Sequence, residues 1–297
     1  PYPLVNPKDR QVVRYVNPRQ LFDKIVYQAW ESAEPGVIFF DKVNDYNPFL
    51  EHLGPIVTTN PCGEVLLYPN EPCNLGSINV WAFARQDEED NNYVDWEKLK
   101  TVVKSCTRFL DNVIDVNNFP LKAIEEMSLS TRKIGLGVMG VADLLYELRL
   151  PYNTDEGRKF MEQLMEFIAY WSKVESIELA KTRGNLPYYN KSFYKKGRLP
   201  IRGAYLKNEC HFDWDRMGED IKRYGIRNGY TTIIAPTGSI SMIAGCSSGM
   251  EPVYSLVFEK NVNVGSFYYV DPAAEKVLRE EGLYNDRLME DINEHKG

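Results

Sequence analysis

Apolar positions recur at helical spacing through much of this chain. Asn17-Pro18 pairs a capping residue with proline in the first helical position. Leu21, Ile25, Ala29 and Trp30 then fall on one face, so residues 18–33 are expected to be helical. Pro35-Gly36 ends that helix, and Val37-Ile38-Phe39-Phe40 is a short buried-strand candidate. Behind Asp95 as cap, Leu99, Val102, Val103, Cys106, Leu110, Val113 and Ile114 mark the clearest amphipathic helix. Further helices are expected near 138–148, from about 155 to 182 with Gly184 as the stop, and over 213–223. The β-branched run 230–235 has the pattern of a strand covered on both faces. Strands separated by long helices imply an α/β architecture.

The remaining segments read as connections. Residues 41–75 are dense in Pro, Asn and Gly and are expected to form an extended loop with brief strands. The acidic stretch 86–92 reads as a solvated turn, and 187–210, rich in Tyr, Lys and Gly, as a surface excursion.

With 297 residues the chain can bury a sizeable core, as one large domain or two ordinary ones. Its 43% hydrophobic and 26% charged residues exclude a disordered chain. The net charge of −7, without a basic stripe, argues against gripping nucleic acid, which rests on phosphate neutralisation. A small phosphorylated ligand stays open, because backbone amides bind it without net positive charge. No apolar run approaches the ~18–20 residues of a membrane span, and no membrane partner is expected. Nothing at the start reads as a signal peptide, and Pro1-Tyr2-Pro3 in place of Met suggests processing or excision. The cysteines Cys62, Cys73, Cys106, Cys210 and Cys246 are odd in number and irregular in spacing, with no C-x-x-C pair. That pattern fits a reducing cytoplasm better than a disulfide scaffold or a zinc site. Three scattered histidines give no metal centre, so none is expected.

The most informative segment is Thr58-Thr59-Asn60-Pro61-Cys62-Gly63-Glu64. Asn60, Cys62 and Glu64 are spaced two apart, which on extended backbone projects them to one side at steps of about 7 Å. Pro61 would interrupt a central strand, so the segment belongs on a loop, and Gly63 lets backbone approach a ligand closely. The set offers a redox atom, a hydrogen-bond donor and a general base to one small volume. The same residue types also fit a buried Cys in a turn, with Asn and Glu bonding local amides.

Asn60-Pro61-Cys62-Gly63-Glu64, followed by Glu71-Pro72-Cys73-Asn74-Leu75-Gly76-Ser77-Ile78-Asn79, resembles the active-site finger loop of ribonucleotide reductases. The Pro-Cys-Gly-Glu form with Cys-Asn-Leu-Gly-Ser behind it is most similar to the adenosylcobalamin-dependent class. Phe109-Leu110-Asp111-Asn112-Val113-Ile114-Asp115, Gly135-Leu136-Gly137-Val138-Met139-Gly140 and residues 235–252 extend the match, which covers the chain to about residue 272. The resemblance implies the later part of a ten-stranded α/β barrel, a single partial catalytic domain over 1–297, with a finger loop at about 55–80 reaching its centre. It implies reduction of ribonucleoside di- or triphosphates, with adenosylcobalamin as radical source.

By the same resemblance, Cys62 carries a transient thiyl radical that removes the 3′-hydrogen, and Glu64 takes the 3′-hydroxyl proton. Asn60 holds the sugar hydroxyls, Pro61 and Gly63 line the substrate, and Cys73 is one of two thiols that supply reducing equivalents. A thiol suits the radical role because it exchanges a hydrogen atom with a sugar carbon without a large energy gap, whereas the O–H bond of serine is much stronger. Two other readings stand beside this one: the large subunit of the iron- or manganese-dependent class, and a catalytically silent nucleotide-binding fragment of the same fold.

Ala235-Pro236-Thr237-Gly238-Ser239-Ile240-Ser241 follows the expected strand and precedes an expected helix. Unpaired amides at such a turn suit an anion, although a plain N-cap fits these residues equally. The Gly-Lys-Ser/Thr ending of a Walker loop is absent. In the resembling family this position holds the substrate's phosphates, so Pro236, Thr237, Gly238, Ser239 and Ile240 (a phosphate loop at about 235–241) are assigned to them. Cys246 is expected to be a packing residue. Gly135, Gly137 and Gly140 satisfy G-x-G-x-x-G, but no hydrophobic strand precedes them and no partner acid follows a second strand, so close helix packing is expected instead of a dinucleotide.

The resemblance places the partner of Cys73 and the specificity-effector region upstream, and a reducing cysteine pair in a C-terminal tail. No cysteine precedes Cys62 and no tail pair is present. The chain is therefore expected to be a fragment, or one piece of a split enzyme that needs a complementary polypeptide. An external thiol reductant is expected as a partner, and a homodimer is compatible with the family.

Overall fold

A computed structural model describes residues 1–201, 210–262 and 265–295, with 258–262 and 265–269 described by backbone alone. Residues 202–209 of the expected surface excursion lie outside the described residues. Where one domain is expected over 1–297, the chain divides into two compact units, Pro1–Lys42 and Val43–Gly297.

In the first unit, β1 (Tyr2–Val5) pairs antiparallel with β2 (Val12–Val16), Tyr2 opposite Val16. Helix α1 (Pro18–Ser32) starts where expected, with the Asn17 side chain accepting from the Arg19 amide at 2.9 Å. Its apolar stripe is not a core face: no residue of α1 is buried and Trp30 is 80% exposed. The expected strand at 37–40 does not form. Val37, Ile38 and Phe39 are exposed coil, and Phe40 opens the short helix α2 (Phe40–Asp45). Without a neighbouring strand to pair its backbone, an apolar run of four residues has no reason to stay extended.

The second unit begins less irregularly than its Pro, Asn and Gly suggest. Helix α3 (Leu50–Leu53) and the hairpin β3 (Thr58–Thr59) with β4 (Leu66–Leu67) interrupt the expected loop. β5 (Leu75–Asn79) follows, then the hairpin β6 (Ala84–Gln86) with β7 (Asn92–Val94), whose tip is the expected acidic turn. Helix α4 (Trp96–Val116) is capped by Asp95 and buries Leu99, Val103, Leu110 and Ile114. Next come α5 (Lys122–Thr131), β8 (Gly135–Met139), α6 (Val141–Glu147) and α7 (Asp155–Arg183). The Gly184 amide closes α7 on Ala180 O at 2.9 Å. Helices α8 (Trp214–Tyr224) and α9 (Ile240–Ala244), strands β9 (Val257–Val262) and β10 (Gly265–Val270), and helices α10 (Pro272–Glu280) and α11 (Asp286–His295) complete the order.

The centre is parallel. β5 and β8 pair from Leu75 opposite Gly135 to Asn79 opposite Met139. On the other edge of β8, the Leu136 amide donates to Thr231 O at 3.0 Å and the Ile233 amide to Leu136 O at 3.1 Å. Helices α4, α6 and α7 cover this array with Leu99, Leu144, Leu145, Leu164 and Ile168. The segment 230–235 differs from expectation: Thr231, Ile233 and Ala235 are buried, but Ile234 is 54% exposed, and a single bridge joins Thr232 to Leu136. It is extended backbone with one face open. Nor do the described residues close a barrel, which requires pairing on both edges of each strand; every sheet among them is a two-stranded pair.

Three further expectations are corrected. The helix near 138–148 begins at Val141, because 135–139 is the buried strand itself. Its glycines serve sheet packing, not helix packing. A Cβ on Gly135 would stand 2.6 Å from Leu75 Cδ2, and one on Gly137 3.1 Å from Ile233 O. The described part of 187–201 is no surface excursion either. Phe193, Tyr194 and Leu199 join Phe49, Trp214 and Ile221 in a second core, and the Tyr194 hydroxyl donates to Gly229 O at 2.7 Å. Tyrosine reads as polar in composition, yet it buries its ring once the hydroxyl has an acceptor.

Candidate active site

The Cys62 loop is the tip of the β3–β4 hairpin. The Asn60 amide donates to Val65 O at 3.2 Å and the Gly63 amide to Asn60 O at 3.1 Å. Gly63 sits at φ 83°, the left-handed region where a side chain is strained. Asn60 Oδ1 accepts from the Val65 amide at 3.0 Å, so its oxygen is spent inside the loop, as the turn reading expects, and its Nδ2 is the end left to donate outward. Pro61, Cys62 and Gly63 are exposed. Cys62 therefore presents its sulfur at the loop tip.

Glu64 is less open to solvent. It is half-buried, and its Oε2 is fully buried with no hydrogen-bond partner among the described residues. An uncompensated carboxylate oxygen costs free energy unless a ligand or proton meets it. Cys73 lies within its field: burial pushes the Cys73 thiol up from its ordinary value, and Glu64 and then Glu71 push it further. Cys73 is thus held as a thiol, not a thiolate.

The hairpin is fixed from behind. Val65 and Leu67 pack on Ile233 and Ala235, with Cys73 at the edge of the same cluster. Glu71, which the sequence leaves without a role, is buried and ties the end of the hairpin to the junction between α5 and β8. It accepts from the Tyr68 amide at 2.8 Å, the Thr131 hydroxyl at 2.5 Å and the Lys133 ammonium at 2.7 Å. Lys133 also donates to Leu66 O at 3.0 Å. Burial pulls the Lys133 ammonium down and Glu71 opposes it. Glu71 stood inside the quoted motif; a charged residue between apolar Tyr68 and Cys73 was the available signal.

Ile233 and Ala235 lead into the turn 236–240, so the Cys73 loop and the anion candidate share one support. Thr237 is buried at φ 54°, and its Oγ1 accepts from the Gly249 amide at 2.8 Å. Pro236, Gly238, Ser239 and Ile240 are exposed, ahead of the first helical bond from the Ser241 amide to Thr237 O at 2.9 Å. Ser239 makes no side-chain cap, so a plain N-cap does not describe this turn. Cys246 is buried against it, its thiol pushed up to about 12 by burial and then by Asp143 and Asp271, which suits packing and not redox exchange.

A second buried polar group was not visible from spacing. Asp111 is fully buried and accepts from Arg132 Nη2 at 2.7 Å and Asn228 Nδ2 at 3.0 Å, with Arg227 Nε at 3.4 Å. These residues lie far apart in sequence. Among the described residues there is no group of three metal-ligating side chains and no helix long and apolar enough to cross a membrane.

Comparison with known proteins gives one consistent family. The family described as "Ribonucleotide reductase, barrel domain" matches residues 2–297. The vitamin B12-dependent ribonucleoside-diphosphate reductase of Thermoplasma acidophilum is 41% identical over 292 residues, covering 98% of this chain and 34% of the relative. That of Mycobacterium tuberculosis is 36% identical over 294 residues, covering 99% and 38%. The ribonucleoside-diphosphate reductase subunit alpha of Chlamydia pneumoniae is 33% identical over 303 residues, covering 97% and 28%. The chain spans about a third of the length of these curated relatives.

Proposed function

The chain belongs to the ribonucleotide reductase barrel-domain family, and on that premise we propose that it carries the radical thiol, base and phosphate turn of a ribonucleoside-diphosphate reductase. The observation that carries this reading is Glu64 Oε2, buried and unpartnered beside Cys73, in a loop rooted on the segment that runs into 236–240. A substrate whose phosphates rest on the amides of 238–240 brings its ribose toward that loop.

Each residue then has one task. Cys62, as a thiyl, takes the 3′-hydrogen atom of the ribose. Glu64 takes the 3′-hydroxyl proton, its Oε2 having no partner among the described residues to compete for it. Asn60 donates to the sugar hydroxyls through Nδ2. The 2′-hydroxyl leaves as water with a proton from the thiol pair; Cys73 with a second thiol from outside the described chain supplies two reducing equivalents and ends as a disulfide, Glu64 gives its proton back to the 3′-oxygen, and Cys62 returns the hydrogen atom to C3′ to become a thiyl again. Keeping Cys73 protonated serves this, since a thiol gives up a hydrogen atom and a thiolate cannot. An external thiol restores the pair. In this reading the parallel strands β5 and β8, with 230–233, are part of the ten-stranded barrel.

The relatives named as vitamin B12-dependent favour adenosylcobalamin, whose chemistry when bound is to supply an organic radical. The exposed Cys62 fits a radical source that reaches the thiol from outside the loop. The subunit-alpha relative keeps the metal-dependent class as the second reading. Turnover of nucleoside diphosphates by the full-length protein with adenosylcobalamin and no second subunit selects the first. Cys62→Ser in that protein is expected to abolish turnover while leaving diphosphate binding intact, and retained activity would overturn the assignment.

A further inference from the structure

The resemblance counts Thr237 among the phosphate contacts, yet its side chain has a partner within the protein. Thr237 is 8% exposed, and its Oγ1 accepts from the buried Gly249 amide at 2.8 Å. Its backbone stands at φ 54°, which a β-branched residue keeps only where its surroundings over-determine it. Those surroundings are the 246–250 segment. A Cβ on Gly249 would stand 2.8 Å from Ala235 O, so the two backbones meet where only glycine fits. The Ser241 and Ser248 hydroxyls meet at 3.0 Å, and the Cys246 amide donates to Ser241 O at 3.0 Å.

The far side of the same segment is fastened to α6 and its flanks. The Gly140 amide donates to Ser247 O at 2.8 Å, the Ser247 amide to Asp143 Oδ2 at 2.6 Å, and the Tyr152 hydroxyl to Met250 O at 2.7 Å. Gly140 directly follows β8 and Asp143 lies on α6. The position of the Gly249 amide is therefore set from the central strand.

We infer that Thr237 is a positioning residue: its hydroxyl braces the 236–240 turn against the 246–250 segment and so aims the amides of 238–240 at the substrate's phosphates. The inference rests on the phosphate assignment above. Of the five residues of the turn, Thr237 alone is buried, while Pro236, Gly238, Ser239 and Ile240 are exposed. The helix behind them, α9, has five residues, too few to hold its own first turn. Ser239 supplies no side-chain cap either. What fixes the turn is the bond from Gly249. Successive amides hold one anion only when they converge on it, and a rotation at 237 displaces all three that follow.

Three substitutions separate the hydroxyl from the strained backbone. Thr237→Ser keeps the hydroxyl. Thr237→Val keeps the shape and the left-handed strain but loses the acceptor. Thr237→Gly loses the acceptor and the strain together.

The test measures these variants in the full-length protein by amide exchange and by binding of CDP and of cytidine, which lacks the phosphates. Thr237→Val and Thr237→Gly are each expected to lower protection of the Gly249 amide and weaken the Kd for CDP about tenfold, the scale of one lost buried hydrogen bond. Cytidine should bind all four proteins alike, and Thr237→Ser should stay within about twofold of the wild type for CDP. Wild-type CDP affinity in Thr237→Gly overturns the inference, since the brace is then dispensable. Equal loss for cytidine and CDP also overturns it, because the damage is then general and not a matter of aiming at phosphate. A serine variant as weak as valine excludes the hydroxyl as the operative group. If Thr237→Val does not fold, Thr237→Gly, free of strain, carries the comparison. If neither folds, a Gly249 amide that exchanges as fast as an exposed one in the wild type overturns the brace. Wild type that binds CDP no tighter than cytidine counts against the phosphate assignment instead, and exchange at Gly249 then decides the brace alone.

Discussion

Lys133 Nζ lies 2.7 Å from Glu71 Oε2, and the two side chains are 1% and 0% exposed. Glu71 stands two residues before Cys73 and Lys133 two before the first residue of β8, so this ion pair fastens the Cys73 loop to the central strand. Lys133→Met strands a buried carboxylate and is expected to cost about 3–5 kcal/mol in urea unfolding. Lys133→Met with Glu71→Leu is expected to recover most of that loss, because an apolar pair has no desolvation to repay. A double variant as unstable as the single one would show that the pair is more than compensated charge.

Asp111 gathers donors from three separate segments: Arg132 after α5, Arg183 at the end of α7, and Arg227 with Asn228 ahead of the 230–235 run. Asp111→Ala leaves Arg132, itself 3% exposed, with the backbone carbonyl of residue 111 at 3.2 Å and the half-exposed Asp115 carboxylate at 2.7 Å. The expected cost is about 3–5 kcal/mol, and Asp111→Asn, which keeps the acceptor, is expected to cost less. Chemical denaturation of both variants checks the order.

Lys173 is 3% exposed and donates to the Thr231 hydroxyl at 3.1 Å, with burial pulling its ammonium from 10.5 to about 8. The folded state binds this proton less tightly than the unfolded chain, so the penalty is present below pH 8 and is relieved as pH rises from about 8 to about 10.5. Lys173→Met is expected to raise stability at neutral pH by up to about 3 kcal/mol. The gap between wild type and variant should close above pH 10. Unfolding curves across that range read the difference directly, and a gap that widens with pH would sink the account.

Gly140 caps β8 at φ 75°, and a Cβ there would collide with the Asn79 side chain, which caps the turn after β5. Gly140→Ala combines left-handed strain with that collision and is expected to cost about 2–3 kcal/mol. Thermal unfolding of Gly140→Ala beside Gly238→Ala separates the two kinds of glycine. Gly238 has open space around it and no positive φ, so its change should be small.

Long amphipathic helices were legible before any coordinates. Asp95 caps α4 where the pattern placed it, and α7 and α8 begin within one residue of the expected starts, because a cap and a 3.6-residue stripe are local properties of the chain. Short apolar runs were not legible. Val37-Ile38-Phe39-Phe40 and the 135–139 strand are equally apolar, and only the second finds neighbours to pair with. Tyr194 and Leu199 were lost in a polar-looking segment, since burial there depends on Phe49 and Trp214 arriving from elsewhere.

From residues alone came the helices with their caps, the thiol-bearing loop, and the turn of Gly, Ser and Thr after an extended run. Those rest on neighbours within a few positions. Tertiary structure decided that Glu64 is half-buried while Cys62 stays exposed, and that Glu71 meets Lys133. Each of these depends on removing charge from water, and no local sequence pattern reports which distant groups will share the same dry space.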